Sequence, residues 1–195
     1  MIPMIELQSP YRSATPEDAL AMAELVNMAG EGLPLYLWSE MAAPDEIAWE
    51  IGQSRAKRES GALSYRNAVI QEEDGEVVAC LIGYPLEEDR LHRSLAILVP
   101  LQELEDLAPG TWYVSVLATY PGHRGRGYGT QLLSIAERIT VDCNKSGLSM
   151  IVSDANTGAR RLYERLGYRE HATRPIVKER WENPGSNWIL LLKDV

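Results

Sequence analysis

The sequence predicts a mixed α/β fold: a mostly antiparallel sheet that contains one central pair of parallel strands and is flanked by about four helices. Two observations carry this prediction. Asp74-Gly75 separates two strand-like runs, which is a strong hairpin signal. Further along, an apolar run at 112–119 leads through a glycine-rich turn and an amphipathic segment to a second apolar run at 148–153. This strand–helix–strand order is typical of a parallel crossover, because parallel strands need a long connection.

Two helices are predicted before the hairpin. Thr15-Pro16 supplies an N-cap residue and a proline at the first helical position, and apolar residues at helical spacing continue to Gly30. A second helix is expected over about 43–57, starting near an Ala-Pro pair. The apolar segment 31–38 between them is interpreted as a loop or a broken helix. A short first strand is expected at 5–7.

The hairpin strands are predicted at 67–72 and 76–84, and the segment that follows them is unusual. Residues 85–110 carry two acidic clusters, at 87–89 and 103–106, on either side of a Leu-rich centre. Neither strand alternation nor a long helical pattern fits the whole segment. We interpret it as an inserted, partly helical excursion.

The second half of the chain continues the alternation of strands and helices. An apolar helix face is expected over 132–143, and a further helix runs from Asn156 to its stop at Gly167. A weak strand at 173–177 and a clear one at 188–192 complete the pattern. No internal repeat or linker interrupts it, so residues 1–195 are predicted to form a single domain.

Composition excludes several classes of function. The formal net charge is −9, which makes the chain a poor non-specific partner for nucleic acid or an anionic membrane. Cys80 and Cys143 lie in apolar runs without metal-ligand spacing, so no metal site and a reducing compartment are expected. The first residues show no signal peptide, and no apolar run is long enough to span a bilayer. We therefore expect a cytoplasmic protein.

The glycine-rich turn is the most informative segment. Gly125, Gly127 and Gly129 alternate directly before a helix, with Arg124 and Arg126 in the same turn. Exposed backbone N–H groups at a helix N-terminus attract anions, so the turn predicts a phosphate site. The alternation lacks the spacing of a dinucleotide fingerprint and the Gly-Lys-Ser/Thr of a P-loop. A tight turn without a ligand is the alternative.

The pattern Arg124-x-x-Gly127-x-Gly129 resembles the acyl-CoA-binding signature of the GCN5-related N-acetyltransferases. The segment from Arg160 to Tyr168, which follows Asn156, looks like the segment after the fifth strand of that family. The resemblance is strong over 112–168, weaker before it and absent for the excursion. It implies acetyl-CoA as co-substrate, no metal, and transfer of the acetyl group to a primary amine by direct attack.

The resemblance also assigns cofactor contacts. The backbone of the strand before the turn would bind pantetheine, and the parallel pair would splay apart there to receive it. The turn would cradle the pyrophosphate, and the next helix start would touch the cofactor arm. These assignments fall on Leu117, Ala118, Thr119, Arg124, Gly125, Arg126, Gly127, Tyr128, Gly129, Thr130 and Asn156. A solvated Arg126 and a simple helix N-cap at Asn156 are the alternatives, and His123 beside the turn is expected to be a variable surface residue.

By the same resemblance, Tyr163 faces the sulfur. A phenol with a pKa near about 10 can protonate a thiolate, whose ordinary pKa is about 8.5, although a core tyrosine is the alternative. The general base is open between Glu31, Tyr113 and Ser115. Glu31 is favoured because its loop borders the acceptor pocket in the family, and a solvent-exposed acid is the alternative. A backbone N–H at 118 or 119 is the simplest oxyanion donor.

The acceptor is predicted only as a class. An apolar and aromatic wall (Leu33, Tyr36, Leu37 and Trp38) and the acids of the excursion favour a small molecule with a cationic amine. A protein N-terminus or lysine is a second reading, and a non-catalytic acyl-CoA sensor a third. The Leu-rich centre of the excursion is also an apolar patch that a second copy of the chain would cover, as in a homodimer.

Overall fold

The computed structural model describes residues 6–87 and 95–195. The chain forms two compact units, one of Met1–Tyr84 with Ser115–Ile135 and the other of Pro85–Val114 with Ala136–Val195. The elements in chain order are β1 (Tyr11–Ser13), α1 (Ala19–Ala29), α2 (Leu33–Met41), α3 (Ala48–Ala56), β2 (Ala68–Glu73), β3 (Glu76–Pro85), α4 (Val99–Glu105), β4 (Trp112–Thr119), α5 (Tyr128–Asp142), β5 (Gly147–Ser153), α6 (Thr157–Arg165), β6 (Arg169–Pro175) and β7 (Asn187–Asp194).

The first unit contains an antiparallel meander in the order β1-β2-β3, followed by the C-terminal half of β4. Its core lies on one face of these strands. Ile70 of β2 and Cys80 of β3 are fully buried there against Met22 and Leu25 of α1. Because successive strand residues point to opposite faces, this packing also determines which residues of β2 face α5. That second face carries the start of α5.

The second unit contains the N-terminal half of β4, followed in the sheet by β5, β7 and β6. The pairing of β4 with β5 is parallel and covers Trp112 to Val114, opposite Leu148 to Met150. The β5–β7 and β7–β6 pairs are antiparallel. The predicted fold class is confirmed: a mixed, mostly antiparallel arrangement of seven strands with one parallel pair. The described residues contain six α-helices rather than about four.

The expectation of a loop or broken helix between the first two predicted helices is wrong, because this segment forms α2. Gly32 before it is left-handed, with φ of 89°, and Pro34 lies in the first turn of the helix. A proline there starts a helix instead of breaking one. The side chain of Asn27 adds a cap, since its Oδ1 accepts the N–H of Leu35 at 3.0 Å.

Other boundaries also shift. The helix expected from about 43 begins at Ala48, the first strand lies at 11–13 rather than 5–7, and β6 starts before 173. Position 5 lies outside the described residues, and 6–7 form no strand. The β6 strand has mostly exposed polar side chains, so its apolar signal is weak. The excursion is helical at 96–105, whereas Glu88 and Asp89 of its first acidic cluster lie outside the described residues.

Two glycines of the second unit should respond to alanine with opposite signs. A Cβ at Gly147 would clash with the carbonyl oxygen of Lys193 in the neighbouring strand, so Gly147→Ala should destabilise the protein by about 1–3 kcal/mol. A Cβ at Gly158, within α6, meets nothing within 4 Å. Gly158→Ala should therefore stabilise by about 0.5–1 kcal/mol. Urea denaturation of both variants checks this, and equal effects would contradict the described pairing of β5 and β7.

Candidate functional site

The glycine-rich turn has the backbone geometry that its sequence predicts. After β4, a short 3₁₀ turn at Pro121–His123 leads to Gly125 and Gly127, whose φ angles are 77° and 87°. Residues with a Cβ rarely adopt these angles. A Cβ at either position would meet nothing within 4 Å. The glycines are therefore required by the turn conformation, and they leave open space above the backbone that a ligand could fill.

The helix that follows supplies unpaired donors. Gln131 donates its N–H to the carbonyl of Gly127 at 3.1 Å, and the amides before it have no acceptor within their own helix. The first turn of α5 carries no acidic residue. Leu132 and Leu133 are fully buried and hold this end of the helix in place. An exposed turn before a fixed helix N-terminus is a suitable place for a phosphate group.

A carboxylate that the sequence did not indicate lies at this turn. Glu73, the last residue of β2, contacts Arg126 at 2.7 Å and His123 at 2.7 Å, and accepts the hydroxyl of Tyr128 at 3.1 Å. The hydrogen bond with His123 is the largest cause that holds the pKa of Glu73 below its ordinary value, and Tyr128 and Arg126 add to it. His123 lies at the surface, as expected, and there it contacts the carboxylate of Glu73. Only the fold brings 73 and 126 together.

The other arginine of the turn is held differently. The Nε of Arg124 donates to the carbonyl of Thr119 at 3.2 Å, so this side chain closes the turn from its own backbone. Arg124 makes no ion pair within 6–87 and 95–195. Of the two predicted phosphate ligands, it is the one whose charge no carboxylate offsets.

The end of β4 is fixed on one side. Ala118 is buried in the core of the first unit, whereas Leu117 and Thr119 are half-buried. The next residue, Tyr120, donates its N–H to Val78 at 3.0 Å and its hydroxyl to Glu24 of α1 at 2.5 Å. The parallel pairing with β5 covers only 112–114, although β4 continues to Thr119.

The candidates for the general base lie in different surroundings. Glu31 is half-buried at the bend between α1 and α2, with a left-handed φ of 53°. Tyr113 is buried and Ser115 half-buried on β4. Trp38 of the predicted acceptor wall is buried within the helical core, so this residue stabilises the fold.

In the second unit, Asn156 is the N-cap of α6. Its Oδ1 accepts the N–H of Ala159 at 3.2 Å, which confirms the structural alternative without testing a cofactor contact. Asp154 accepts the N–H groups of Ser186 and Asn187 at 2.8 and 3.0 Å and ties the helix start to β7. Although burial opposes it, these hydrogen bonds lower the pKa of Asp154.

Tyr163 lies on the buried face of α6 and is 8 % exposed. Burial raises its pKa to about 12, so the phenol keeps its proton at neutral pH. Its ring lies 5.9 Å from that of Tyr168, whose buried hydroxyl has no hydrogen-bond partner among the described residues. The burial of Tyr163 agrees with the alternative that it is a core tyrosine. Because its phenol is protonated at neutral pH, it could also donate a proton.

The described residues contain neither a helix that could span a membrane nor a group of side chains that could hold a metal ion. None of their helices is long and apolar enough to cross a membrane. No group of three or more His, Cys, Asp or Glu side chains within 6–87 and 95–195 is placed to hold a metal ion.

Solved structures with the same fold include acetyltransferases. One, described simply as an acetyltransferase, is 25% identical, with a TM-score of 0.68 over 96% of this chain and 100% of its own. An N-acetyltransferase from Staphylococcus aureus Mu50 is 18% identical, with a TM-score of 0.64 over 94% and 99%. The yncA protein of Salmonella typhimurium, solved with its cofactor acetyl-CoA, is 20% identical, with a TM-score of 0.59 over 94% and 92%. None of the curated proteins matches the sequence.

The fold and the glycine turn thus define an acetyltransferase. A family model for the acetyltransferase (GNAT) family matches residues 34–168, and the chain belongs to that family. The match includes β4, the glycine turn and the helix that carries Tyr163. The predicted family is confirmed.

Proposed function

We propose that the protein transfers an acetyl group from acetyl-CoA to a primary amine. The observation that carries the proposal is the open glycine turn at the N-terminus of α5, in a chain that belongs to an acetyltransferase family. Acetyl-CoA would supply the activated thioester. The residues of this chain would supply the other groups that the reaction needs. We propose that residues 1–195 act as one domain.

The turn would hold the pyrophosphate. The amides at the start of α5 have no acceptor within the helix, and the glycines at 125 and 127 leave the space beside the backbone open. Arg124 would add a charge-assisted hydrogen bond. Arg126 can do the same once Glu73 releases it. Thr130 and Gly129 complete the first turn.

By the family resemblance, the strand before the turn and the start of α6 would contact the rest of the cofactor. The backbone of Leu117, Ala118 and Thr119 lies beyond the parallel pairing with β5, which supports a role in binding the pantetheine arm. Asn156 would contact the same arm with the part of its amide that does not cap α6. An N–H at 118 or 119 would donate to the developing oxyanion.

Tyr163 would act as the general acid. As the amine nitrogen bonds to the acetyl carbon and the carbon–sulfur bond breaks, the phenol donates its proton to the leaving sulfur. With a pKa of about 12, the phenol is protonated before the reaction. A base must accept the proton of the acceptor ammonium, and Glu31 is our candidate for that role, with Tyr113 and Ser115 as alternatives.

For the acceptor we propose a small molecule with a cationic amine, supported by the net charge of −9.

A homodimer and a cytoplasmic location remain predictions. Leu95, Val99 and Leu107 of the excursion expose 38–52 % of their surfaces, which supports an apolar surface there.

Parallel calorimetric titrations with acetyl-CoA, CoA, NAD and ATP test the proposal. We expect micromolar binding of both CoA species and none of NAD or ATP, because only the CoA species pair a pyrophosphate with a pantetheine arm. Thermal unfolding should shift upward with the same ligands. Thiol release with a panel of cationic and neutral amines then identifies the acceptor class. Folded protein that binds no CoA species would overturn the proposal, and binding without turnover across the panel would favour a sensor.

A further inference from the structure

The first unit carries a surface pocket that the proposed reaction does not use. Its volume is about 580 Å³, and it lies between β1, the β2–β3 turn and the start of α5. Tyr11, Gln71, the acidic residues 72–74, Tyr128 and Gln131 line it. Of these, only Tyr128 belongs to the predicted phosphate turn.

Gln71 lies on the pocket side of β2. Its neighbour Ile70 is buried in the core beside α1, so Gln71 faces the opposite side of β2, where α5 lies. Gln71 also pairs directly with Tyr11, whose hydroxyl donates to Gln131 of α5 at 2.6 Å. Both neighbours across the strand and the helix therefore place the amide on the pocket side.

The amide oxygen of Gln71 lacks a donor. The residue is 2 % exposed, and its Oε1 has no hydrogen-bond partner among the described residues. Buried polar atoms in proteins are nearly always satisfied. An unsatisfied acceptor on the pocket side of β2 could be satisfied by a bound group with an N–H or O–H to donate.

The other lining groups are acceptors as well. Three consecutive carboxylates, at 72–74, border the pocket, and no Lys, Arg or His side chain is among its described lining residues. The hydroxyls of Tyr11 and Tyr128 already donate hydrogen bonds, to Gln131 and Glu73. Their oxygens therefore offer only lone pairs to a ligand. Arg12 contacts Glu72, and Arg126, His123 and Tyr128 contact Glu73. Asp74 makes no ion pair among the described residues, so its carboxylate is the one whose charge is not offset.

We propose that this pocket binds a small organic cation with an ammonium or guanidinium group. Such a ligand supplies donors for the acceptors of the lining and positive charge opposite Asp74. Binding does not depend on the proposed acetyl transfer. One consequence of binding rests on the proposed function. A cation on Glu73 would compete with Arg126 and His123 and would free them for the phosphates of acetyl-CoA. The cation should therefore tighten acetyl-CoA binding.

The test is calorimetric titration of the full chain, without acetyl-CoA, with 1,6-diaminohexane and with the neutral 1,6-hexanediol. We expect the diamine to bind and the diol not to bind. Asp74→Asn should weaken diamine binding at least about fivefold, because it removes one charge from the lining. Asp74 has a left-handed φ of 54°, which Asn also adopts, so the fold is kept. Gln71→Met should weaken binding too.

The matched control is Asp45→Asn, which removes an exposed acid of the same unit that does not line the pocket. It should leave diamine binding unchanged. If Asp74→Asn and Gln71→Met both bind the diamine as the unmodified chain does, the diamine lies elsewhere, for example at an acceptor site, and the proposal is wrong.

A second titration separates this proposal from the proposed function. With saturating diamine, acetyl-CoA should bind about threefold to tenfold more tightly to the unmodified chain, and Asp74→Asn should need at least about fivefold more diamine to reach the same gain. Unchanged affinity would refute the coupling through Glu73. Absence of any acetyl-CoA binding would refute the proposed function, while diamine binding would still support the pocket.

Discussion

Replacing Tyr163 with Phe should lower kcat for acetyl transfer about 100-fold, because a positioned general acid typically contributes at least that factor. The Kd for acetyl-CoA should stay within about threefold, since the lost hydroxyl acts on the leaving sulfur only as the bond breaks. Stopped thiol-release assays give kcat, and calorimetry gives the Kd. Removal of one hydroxyl from a residue that is 8 % exposed keeps the ring packing of α6.

Tyr168→Phe is the matched control. Its ring contacts that of Tyr163 at 5.9 Å, and its buried hydroxyl has no partner among the described residues. Removing an unsatisfied hydroxyl should leave kcat unchanged and the free energy of unfolding equal or higher. If both variants lose activity equally, packing of the two rings matters and Tyr163 is not the acid.

The pH dependence of kcat for the unmodified chain and for Tyr163→Phe gives a further test. Burial raises the pKa of Tyr163 from 10.0 to about 12, so its proton is bound throughout the assay range. The contribution of this group to the free energy of unfolding is fully present below its unfolded pKa of 10.0. It is lost as the pH rises through the folded pKa of about 12. From about pH 7 to about pH 10, kcat should therefore show no falling limb due to this residue. A falling limb that Tyr163→Phe removes would mean a lower pKa than burial gives.

The part of the site that the sequence predicts is its local part. Gly125 and Gly127 are close in the chain to the helix they precede, and only glycine takes their left-handed φ cheaply, so turn, helix start and open backbone follow from the residue types. The same holds for Asn156, whose capping bond reaches three residues ahead. Such features depend on neighbours in sequence, which the pattern displays directly.

The part that the sequence does not predict depends on pairing across the fold. Glu73 meets Arg126 because the β2–β3 turn lies beside the glycine turn, 53 positions away in the chain. Gln71 has the pattern of an ordinary strand residue, and its unsatisfied oxygen appears only once Tyr11 is paired beside it. The error at α2 has another cause: a proline within an apolar run suggests a break, although Pro34 stands in the first turn of the helix.

Replacing Gly127 with Ala should weaken acetyl-CoA binding about 10-fold to 100-fold, because a methyl group would enter the space above the turn and displace a phosphate from charge-assisted hydrogen bonds. The fold should survive. Since a Cβ at Gly127 meets nothing within 4 Å, the cost to stability is only that of a left-handed alanine, about 1–2 kcal/mol. Calorimetry with acetyl-CoA and urea denaturation measure the two effects separately.

Gly61→Ala provides the comparison that makes this result specific. Gly61 has a φ of 100° and equally open space, and it lies in an exposed turn of the same unit, outside the glycine-rich turn. The alanine there should cost similar stability and leave the Kd for acetyl-CoA unchanged. If both variants lose affinity together, general destabilisation explains the loss. If only Gly127→Ala loses affinity, the phosphate lies on the backbone between β4 and α5, because backbone strain is common to both variants and the position in the turn is not.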